Sequence, residues 1–333
     1  MKKATLKDIA AQAGVSAMTV SKALNNQRGV SEATRLRIQK IAKQMNYSQN
    51  LVAKGLRISK TRTIGVVLSD SSEMATTLVL RGIQETAAAS DYNIIISTTH
   101  HDQEEERKAV ETLISKRIDG LLLVAPLCHR QSDVDWLRGM GVPFVFLMRQ
   151  SADPEVSTVV NDNFLGGYQS VEHLVQRGCR SFFFILIEGS ISCRERLNGY
   201  KRAMENSGIA EADCRFVTAD PFFEAGRQAI VPYLGEIKGY DALVCGCDTI
   251  AIGAMDALQE AGVRVPEDLL AIGYDGLEID RYLRTPLSTI AQPFRQIGAE
   301  GMQILLDRIK YPDIMARKLI LKSELIVRQS TTR

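Results

Sequence analysis

Acidic side chains are nearly absent from the front of this chain. Within residues 1–62 only Asp8 and Glu32 carry negative charge, against thirteen Lys and Arg. That imbalance excludes an ordinary solvated face, which mixes both signs. Apolar runs of membrane length are missing as well: nothing in the chain approaches the roughly 18 residues that a spanning helix needs. The opening MKKATLKDIA is charged but has no apolar core behind it, which excludes a secretory signal. A cytoplasmic location and no membrane partner are expected. Histidine is scarce, four in 333 residues, and none stands with an evident nucleophile; His100-His101 is a lone pair and no metal site. The six cysteines form no CxxC pair, and Cys245-Gly-Cys247 is too tight for a zinc knuckle, with no His beside it. They read as reduced, buried thiols. No GxxxxGK[ST] phosphate loop, GxSxG elbow or HExxH pair occurs. Gly166-Gly167 at a helix start offers an anion cradle without a full motif. No catalytic residue, no metal and no cofactor are therefore expected, and binding without turnover is the favoured reading.

What is present divides the chain. A length of 333 residues exceeds one ordinary core and suggests two or three domains, for which a hydrophobic content of 45% is ample. The net charge of +2 conceals a basic head on a mildly acidic remainder. Such a head is the electrostatic footprint of a nucleic-acid reader.

Thr5 to Asn25 organises that head. Thr5 caps a first helix with Asp8 in the capping-box position, and Leu6, Ile9, Ala10 and Ala13 recur at helical spacing. Gly14 stands where a helix ends in a left-handed residue. Ser16 caps a second helix carrying Val20, Ala23 and Leu24. So short a turn makes the helices cross steeply, the helix-turn-helix geometry, in which the second helix enters the major groove. Ser31 begins a third helix with Leu36, Ile38, Ile41, Ala42 and Met45 expected on its inner side. Asn50 to Arg57 reads as a single-turn helix before the strand-like Thr63–Leu68.

These residues resemble the N-terminal domain of the lactose-repressor (LacI/GalR) family of transcription regulators. The match runs through Thr5-Leu6, Asp8, Ala10, Ala13-Gly14-Val15-Ser16, Thr19-Val20-Ser21, Asn25, Val30-Ser31, Thr34-Arg35, Asn46-Tyr47, Asn50, Val52-Ala53 and Leu56, and the likeness continues to about residue 328.

From residue 63 short apolar runs alternate with amphipathic stretches. The runs include Ile64–Ser69, Tyr92–Ser97, Gly120–Val124, Phe144–Leu147, Phe182–Ile187, Ala242–Val244 and Leu270–Ile272. Helical stretches include Leu78–Ala89, Glu104–Lys116, Leu165–Gln176, Arg196–Asn206, Ala225–Leu234, Ile250–Ala261 and Arg295–Ile309. That alternation implies parallel sheets covered on both faces, a doubly wound α/β fold used twice. The resemblance implies a small all-α helix-turn-helix domain followed by an α/β periplasmic-binding-protein-like body of two doubly wound parallel-sheet subdomains. The expected division is 1–49 for the DNA-binding domain, 50–61 for a hinge helix, and 62–328 for effector binding and dimerisation. The first subdomain covers about 62–160 plus 293–320, and the second about 162–291 plus the tail. Ligands of open parallel sheets bind at the carboxyl ends of the strands, so the cleft between two such sheets is the expected site.

Family membership of this kind implies double-stranded, pseudo-palindromic operator DNA as partner. Ala17, Met18 and Lys22 would face bases. Ala17 and Met18 lack donors and suit a thymine methyl, while Lys22, where Arg is more usual, reaches guanine O6 or N7 as a point charge. Thr5, Leu6, Ser16, Thr19, Ser21, Asn25 and Thr34 would contact the backbone or cap helices. Asn50, Ala53 and Leu56 would act in the hinge, with Leu56 as a minor-groove wedge. Gln49, where relatives often have Pro, and Gly55 inside the helix favour a hinge that orders only on DNA.

For the effector, the implied residues are Ser71, Ser72, Glu73, Thr76, Met148, Arg196, Cys247, Asp275, Gln292 and Phe294, with Arg149 beside them. Met148 and Cys247 replace the more common Asp and Asn, and the segment Glu73–Thr76 lacks a frequent aromatic. A plain hexose is less well served, and the two arginines suit a sugar acid or sugar phosphate. Two-fold half-sites call for a homodimer. The favoured function is an effector-controlled repressor of carbohydrate genes. The alternative is a soluble sugar-binding protein or sugar-active enzyme with a fused helical domain.

Overall fold

A computed structural model describes residues 4–45, 47, 61–69 and 74–332. They fall into two units that divide between Thr61 and Arg62.

The first unit is a cluster of three helices, α1 (Leu6–Ala13), α2 (Ala17–Leu24) and α3 (Glu32–Gln44). Each starts with a hydroxyl cap. Thr5 and Asp8 form a reciprocal capping box, and Ser16 and Ser31 accept the backbone N–H of Thr19 and Thr34 at 3.1 and 3.3 Å. Gly14 closes α1 at φ 63, in the left-handed region that favours glycine. Ile9, Ala10, Ala13, Val20, Ala23, Ile38, Ile41 and Ala42 make one small core. Leu36 is not part of it: 60% of its surface is exposed, contrary to expectation. It precedes Ile38 by two positions, roughly 200° around a helix of about 3.6 residues per turn, and so lies on the opposite face.

The second unit contains two lobes, each built on a six-stranded sheet. Lobe 1 comprises β1 (Thr63–Leu68), α4 (Met74–Ala89), β2 (Asn93–Thr98), α5 (Gln103–Ser115), β3 (Gly120–Val124), α6 (Gln131–Gly139), β4 (Phe144–Leu147) and β5 (Ser157–Asn161). The chain then enters lobe 2 through α7 (Asn163–Gln176), β6 (Phe182–Ile187), α8 (Ile191–Asn206), β7 (Cys214–Ala219), α9 (Phe223–Ile230), β8 (Ala242–Cys245), α10 (Asp248–Glu260), β9 (Leu270–Asp275) and β10 (Ser288–Ala291). It returns to lobe 1 with α11 (Phe294–Lys310) and β11 (Lys318–Leu321), then ends in lobe 2 with β12 (Glu324–Ile326).

Strand order is β11-β5-β4-β3-β1-β2 in lobe 1, all parallel. In lobe 2 it is β12-β10-β9-β8-β6-β7, with β12 antiparallel to β10. Central strands such as β3 and β8 are buried along their whole length, as a sheet covered on both faces requires. Several helices begin earlier than their apolar spacing suggests. Ser190 caps α8, which begins at Ile191, five residues before the expected start at Arg196, and Asp102 caps α5. The expected helix 225–234 breaks after Ile230 into a 3-10 turn holding Pro232, which cannot donate to an α-helical ladder. All three crossings between the lobes leave the carboxyl end of a strand: after β5, after β10 and after β11. The carboxyl edges of both sheets therefore border the crossings.

Candidate nucleic-acid interface and effector cleft

In the helical head, Met18, Ser21, Lys22 and Asn25 recur at the spacing that stacks side chains on one face of α2. The opposite face holds Val20 and Ala23 in the core. Met18 is 66% exposed although it is apolar. Ala17 is half-buried and packs against the core, as does Leu6. Thr5, Ser16 and Thr19 are engaged at the caps: Thr5 Oγ1 donates to Asp8 Oδ2 at 2.7 Å, and Ser16 Oγ and Thr19 Oγ1 are 2.9 Å apart. Thr34 Oγ1 pairs with Ser31 Oγ at 2.8 Å. Asn25 Nδ2 donates to the Ser21 carbonyl at 2.7 Å, leaving its Oδ1 buried without a partner. Two of the cations have structural work. Arg37 Nη2 donates to the Ala13 carbonyl at 2.9 Å, and Arg35 bridges Asn26 Oδ1 and the Gln27 carbonyl, both at 3.0 Å. Asn50, Ala53 and Leu56 lie outside the described residues, as do Ser71, Ser72 and Glu73 of the cleft.

Lobe 2 presents the more elaborate cleft edge. Arg196, on α8, is 5% exposed and stacks its guanidinium 3.7 Å from the centroid of the Tyr274 ring. Its Nε donates to Asn163 Oδ1 at 2.9 Å, and Nη1 donates to the Gly246 carbonyl. Asp275, the last residue of β9, has φ 130, a conformation that is costly for an L-residue and persists where the surroundings impose it. Gln292 Nε2 donates to Asp275 Oδ1 at 2.6 Å, and the Gln292 N–H donates to the Asp275 carbonyl at 3.0 Å. Gln292 Oε1 is buried with no donor. Cys247 is 3% exposed, with Sγ 3.1 Å from Thr249 Oγ1. Burial, and after it Asp275, pushes its thiol up to about 12, so it stays protonated at neutral pH.

On lobe 1, Met148 follows the last residue of β4 at φ 61 and Arg149 comes next, both half-buried. Thr76 lies in the first turn of α4, 2% exposed. Phe294 is 2% exposed and packs into the core of lobe 1 with Val79, Ile83 and Ile297, so its ring belongs to the lobe's interior.

Residues to which the sequence assigned no effector role join the crossings. Asn161 Nδ2 lies within 3.2 Å of Asn163 Oδ1, 3.3 Å of Tyr274 Oη and 3.4 Å of Ser323 Oγ. Only their place at chain crossings could have signalled them. A cavity of about 160 Å³ opens beside them, between Gln150 and Ile320 of lobe 1 and Phe164, Glu195 and Asn198 of lobe 2. A larger hollow, about 620 Å³, lies wholly on lobe 2 around Lys201, Arg202 and Ile209 and holds none of the residues singled out. Gly166-Gly167 is not an anion cradle. A Cβ on Gly167 would stand 2.2 Å from the Arg196 carbonyl oxygen, so the pair serves close packing of α7 on α8. Among the described residues no group of His, Cys, Asp and Glu could hold a metal, and no helix is long and apolar enough to cross a membrane.

Residues 5–50 match the family model "Bacterial regulatory proteins, lacI family", and residues 171–331 match "Periplasmic binding protein-like domain". The ribose operon repressor of Haemophilus influenzae is 34% identical over 98% of each chain. The transcriptional repressor CytR of Escherichia coli K12 is 33% identical over 98% of this chain and 96% of its own. Among solved structures, the lac repressor dimer bound to operator and the anti-inducer ONPF superposes with a TM-score of 0.90 at 28% identity, over the whole of both chains. A LacI-family regulator of Enterococcus faecium with bound ribose gives 0.74 at 25% identity, over 81% of this chain and 98% of its own.

Proposed function

Since this chain belongs to the lacI family of bacterial regulatory proteins, and is a DNA-binding transcriptional regulator and not an enzyme, we propose that it represses carbohydrate genes under the control of a small sugar-like effector. The observation that carries the effector half is the pair of orphaned polar atoms at the cleft edges, Arg149 Nε and Gln292 Oε1. A buried donor or acceptor without a partner costs about 1–3 kcal/mol. A hydroxylated ligand supplies the missing partners, next to Arg196 and the strained Asp275. The ribose bound by the regulator of Enterococcus faecium supports a ligand of this kind.

The DNA half rests on the basic head, with Met18 and Lys22 of α2 reading bases while Ser16, Thr19, Ser21 and Thr34 meet phosphates. Asn50, Ala53 and Leu56 form the hinge at the minor groove. The protein acts as a homodimer on a two-fold operator in the cytoplasm, as the lac repressor dimer on its operator supports. Closure of the lobes on the effector shifts the two-state equilibrium only as far as the ligand prefers one state.

A selection of random duplexes by the full-length protein tests this. It should yield a pseudo-palindrome whose affinity changes when a sugar that raises the melting temperature is added. No preference over random competitor, with or without such a sugar, would overturn the reading.

A further inference from the structure

Arg149 is a cation short of partners. It follows Met148 at the carboxyl end of β4, on the edge of the sheet that borders the crossings. Its Nε is enclosed and has no acceptor. Its Nη1 lies 3.4 Å from His129 Nδ1. That nitrogen is itself 2.6 Å from the Leu127 carbonyl oxygen, and a carbonyl accepts only, so Nδ1 carries the proton. Two donors therefore face each other. Glu106, the carboxylate that acts on Arg149 through space, has both oxygens engaged elsewhere. Oε2 accepts the Leu127 N–H at 2.9 Å and Oε1 the Cys128 N–H at 2.6 Å.

Two other arginines of the same lobe are treated differently. Arg138 meets Asp153 at 2.8 Å and Arg107 is paired with Asp133. Arg149 alone among these three ends without a hydrogen-bonded acid. Burial accordingly pulls its pKa down. A partly desolvated guanidinium without an acceptor is costly, and its planar fork fits the paired oxygens of a carboxylate or phosphate.

We infer that the effector carries an anionic group, a phosphate or a carboxylate, which docks on Arg149 beside His129 while the rest of the molecule lies toward lobe 2. This rests on the cleft being the effector site. Met148 and the protonated Cys247 thiol then supply soft, weakly polar walls, and the anion supplies much of the selectivity against neutral sugars.

Thermal melting of the full-length protein, wild type, Arg149→Met and Arg149→Lys, tests this in chloride and in inorganic phosphate at equal ionic strength. In chloride Arg149→Met should melt no lower than wild type, because it removes an unpartnered buried charge. Phosphate should raise the wild type by at least about 2 °C more than Arg149→Met, and Arg149→Lys should keep part of that gain. Equal gains in wild type and Arg149→Met, or a clear loss of stability or of folding in both variants, would overturn the inference. A neutral sugar that shifts all three proteins equally would also overturn it, yet leave the cleft reading intact. The cleft reading fails separately, if no ligand that binds the wild type alters its operator affinity.

Discussion

Asp248 and Asp280 are two fully buried carboxyl groups that act on each other directly behind the strained end of β9. Asp248 Oδ2 accepts the N–H of Gly276 and of Leu277 at 2.7 and 3.0 Å, and Oδ1 accepts the Thr289 hydroxyl at 2.7 Å. Those bonds pin the backbone that follows Asp275. Asp280 has no such donors: Arg328 Nη1 stands 3.5 Å away and neither oxygen is otherwise satisfied. Burial, and after it the neighbouring Asp248, pushes Asp280 up to about 9. At neutral pH the pair therefore holds one proton between two carboxyls, and that proton supplies the donor Asp280 lacks.

The sign of the resulting pH dependence is fixed. An unfolded Asp titrates near about 3.9, so from there up to about 9 the folded state binds a proton that the unfolded state has released. The contribution of this pair to stability is complete below the lower value and is lost as pH rises through the upper one. Asp280→Asn keeps a donor for Asp248 and removes the titration. Its stability relative to wild type in urea should rise from about pH 5 to about pH 9. A difference that stays constant with pH would show that the two carboxyls do not share a proton.

Close packing of α7 on α8 links stability to the cleft. A Cβ on Gly199 would stand 2.1 Å from the Phe164 carbonyl, mirroring the contact of Gly167 with Arg196. Gly167→Ala must push back the turn that carries Arg196. We expect a loss of about 1–3 kcal/mol in chemical denaturation, together with weaker effector binding. Unchanged stability would mean that the helices separate at no cost.

The features legible in the sequence were those set by near neighbours. The caps at Thr5, Ser16 and Ser31 depend on residues three positions on, and their bonds are present. Central strands such as β6 announce themselves because both faces are covered, so their residues are nearly all apolar. Of the edge strands, β2 was foreseen within Tyr92–Ser97, but others were not. β7 and β11 are only partly buried, and neither was anticipated. The short, polar α6 escaped as well. Arg196, Asp275 and Gln292 were named through family resemblance, but the contacts that hold Arg196 come from Asn163, Tyr274 and Gly246, and Gln292 bonds to Asp275, pairings brought about by chain crossings that no local pattern encodes. Asp280 carried no signal, since an Asp in a polar-looking turn reads as solvated until its burial is known.

The exposure of Met18 makes a specificity prediction. An apolar side chain that leaves 66% of its surface in water on the face of Lys22 is available to a partner without disturbing the core. Met18→Gln should leave the thermal stability of the protein nearly unchanged and shift the preferred half-site toward adenine at the contacted position, because Gln pairs bidentately with that base. A binding selection reads the change. An unaltered ranking of half-sites would remove Met18 from base recognition.

Lys22 and Arg37 should separate recognition from architecture. Arg37 donates to the Ala13 carbonyl at the end of α1, so Arg37→Ala should lower the stability of the helical head by about 0.5–1.5 kcal/mol. Lys22 sits one turn after Met18 on the same face, and Lys22→Ala should leave stability unchanged. Its effect on DNA distinguishes two contacts. If Lys22 touches a phosphate, affinity falls alike for all duplexes and the slope of log affinity against log salt drops by about 1. If it reaches a guanine edge, affinity falls for the selected duplex by about 1–3 kcal/mol and little for random sequence. Binding titrations at several salt concentrations on both duplexes decide between them, and no loss on either would exclude Lys22 from the interface.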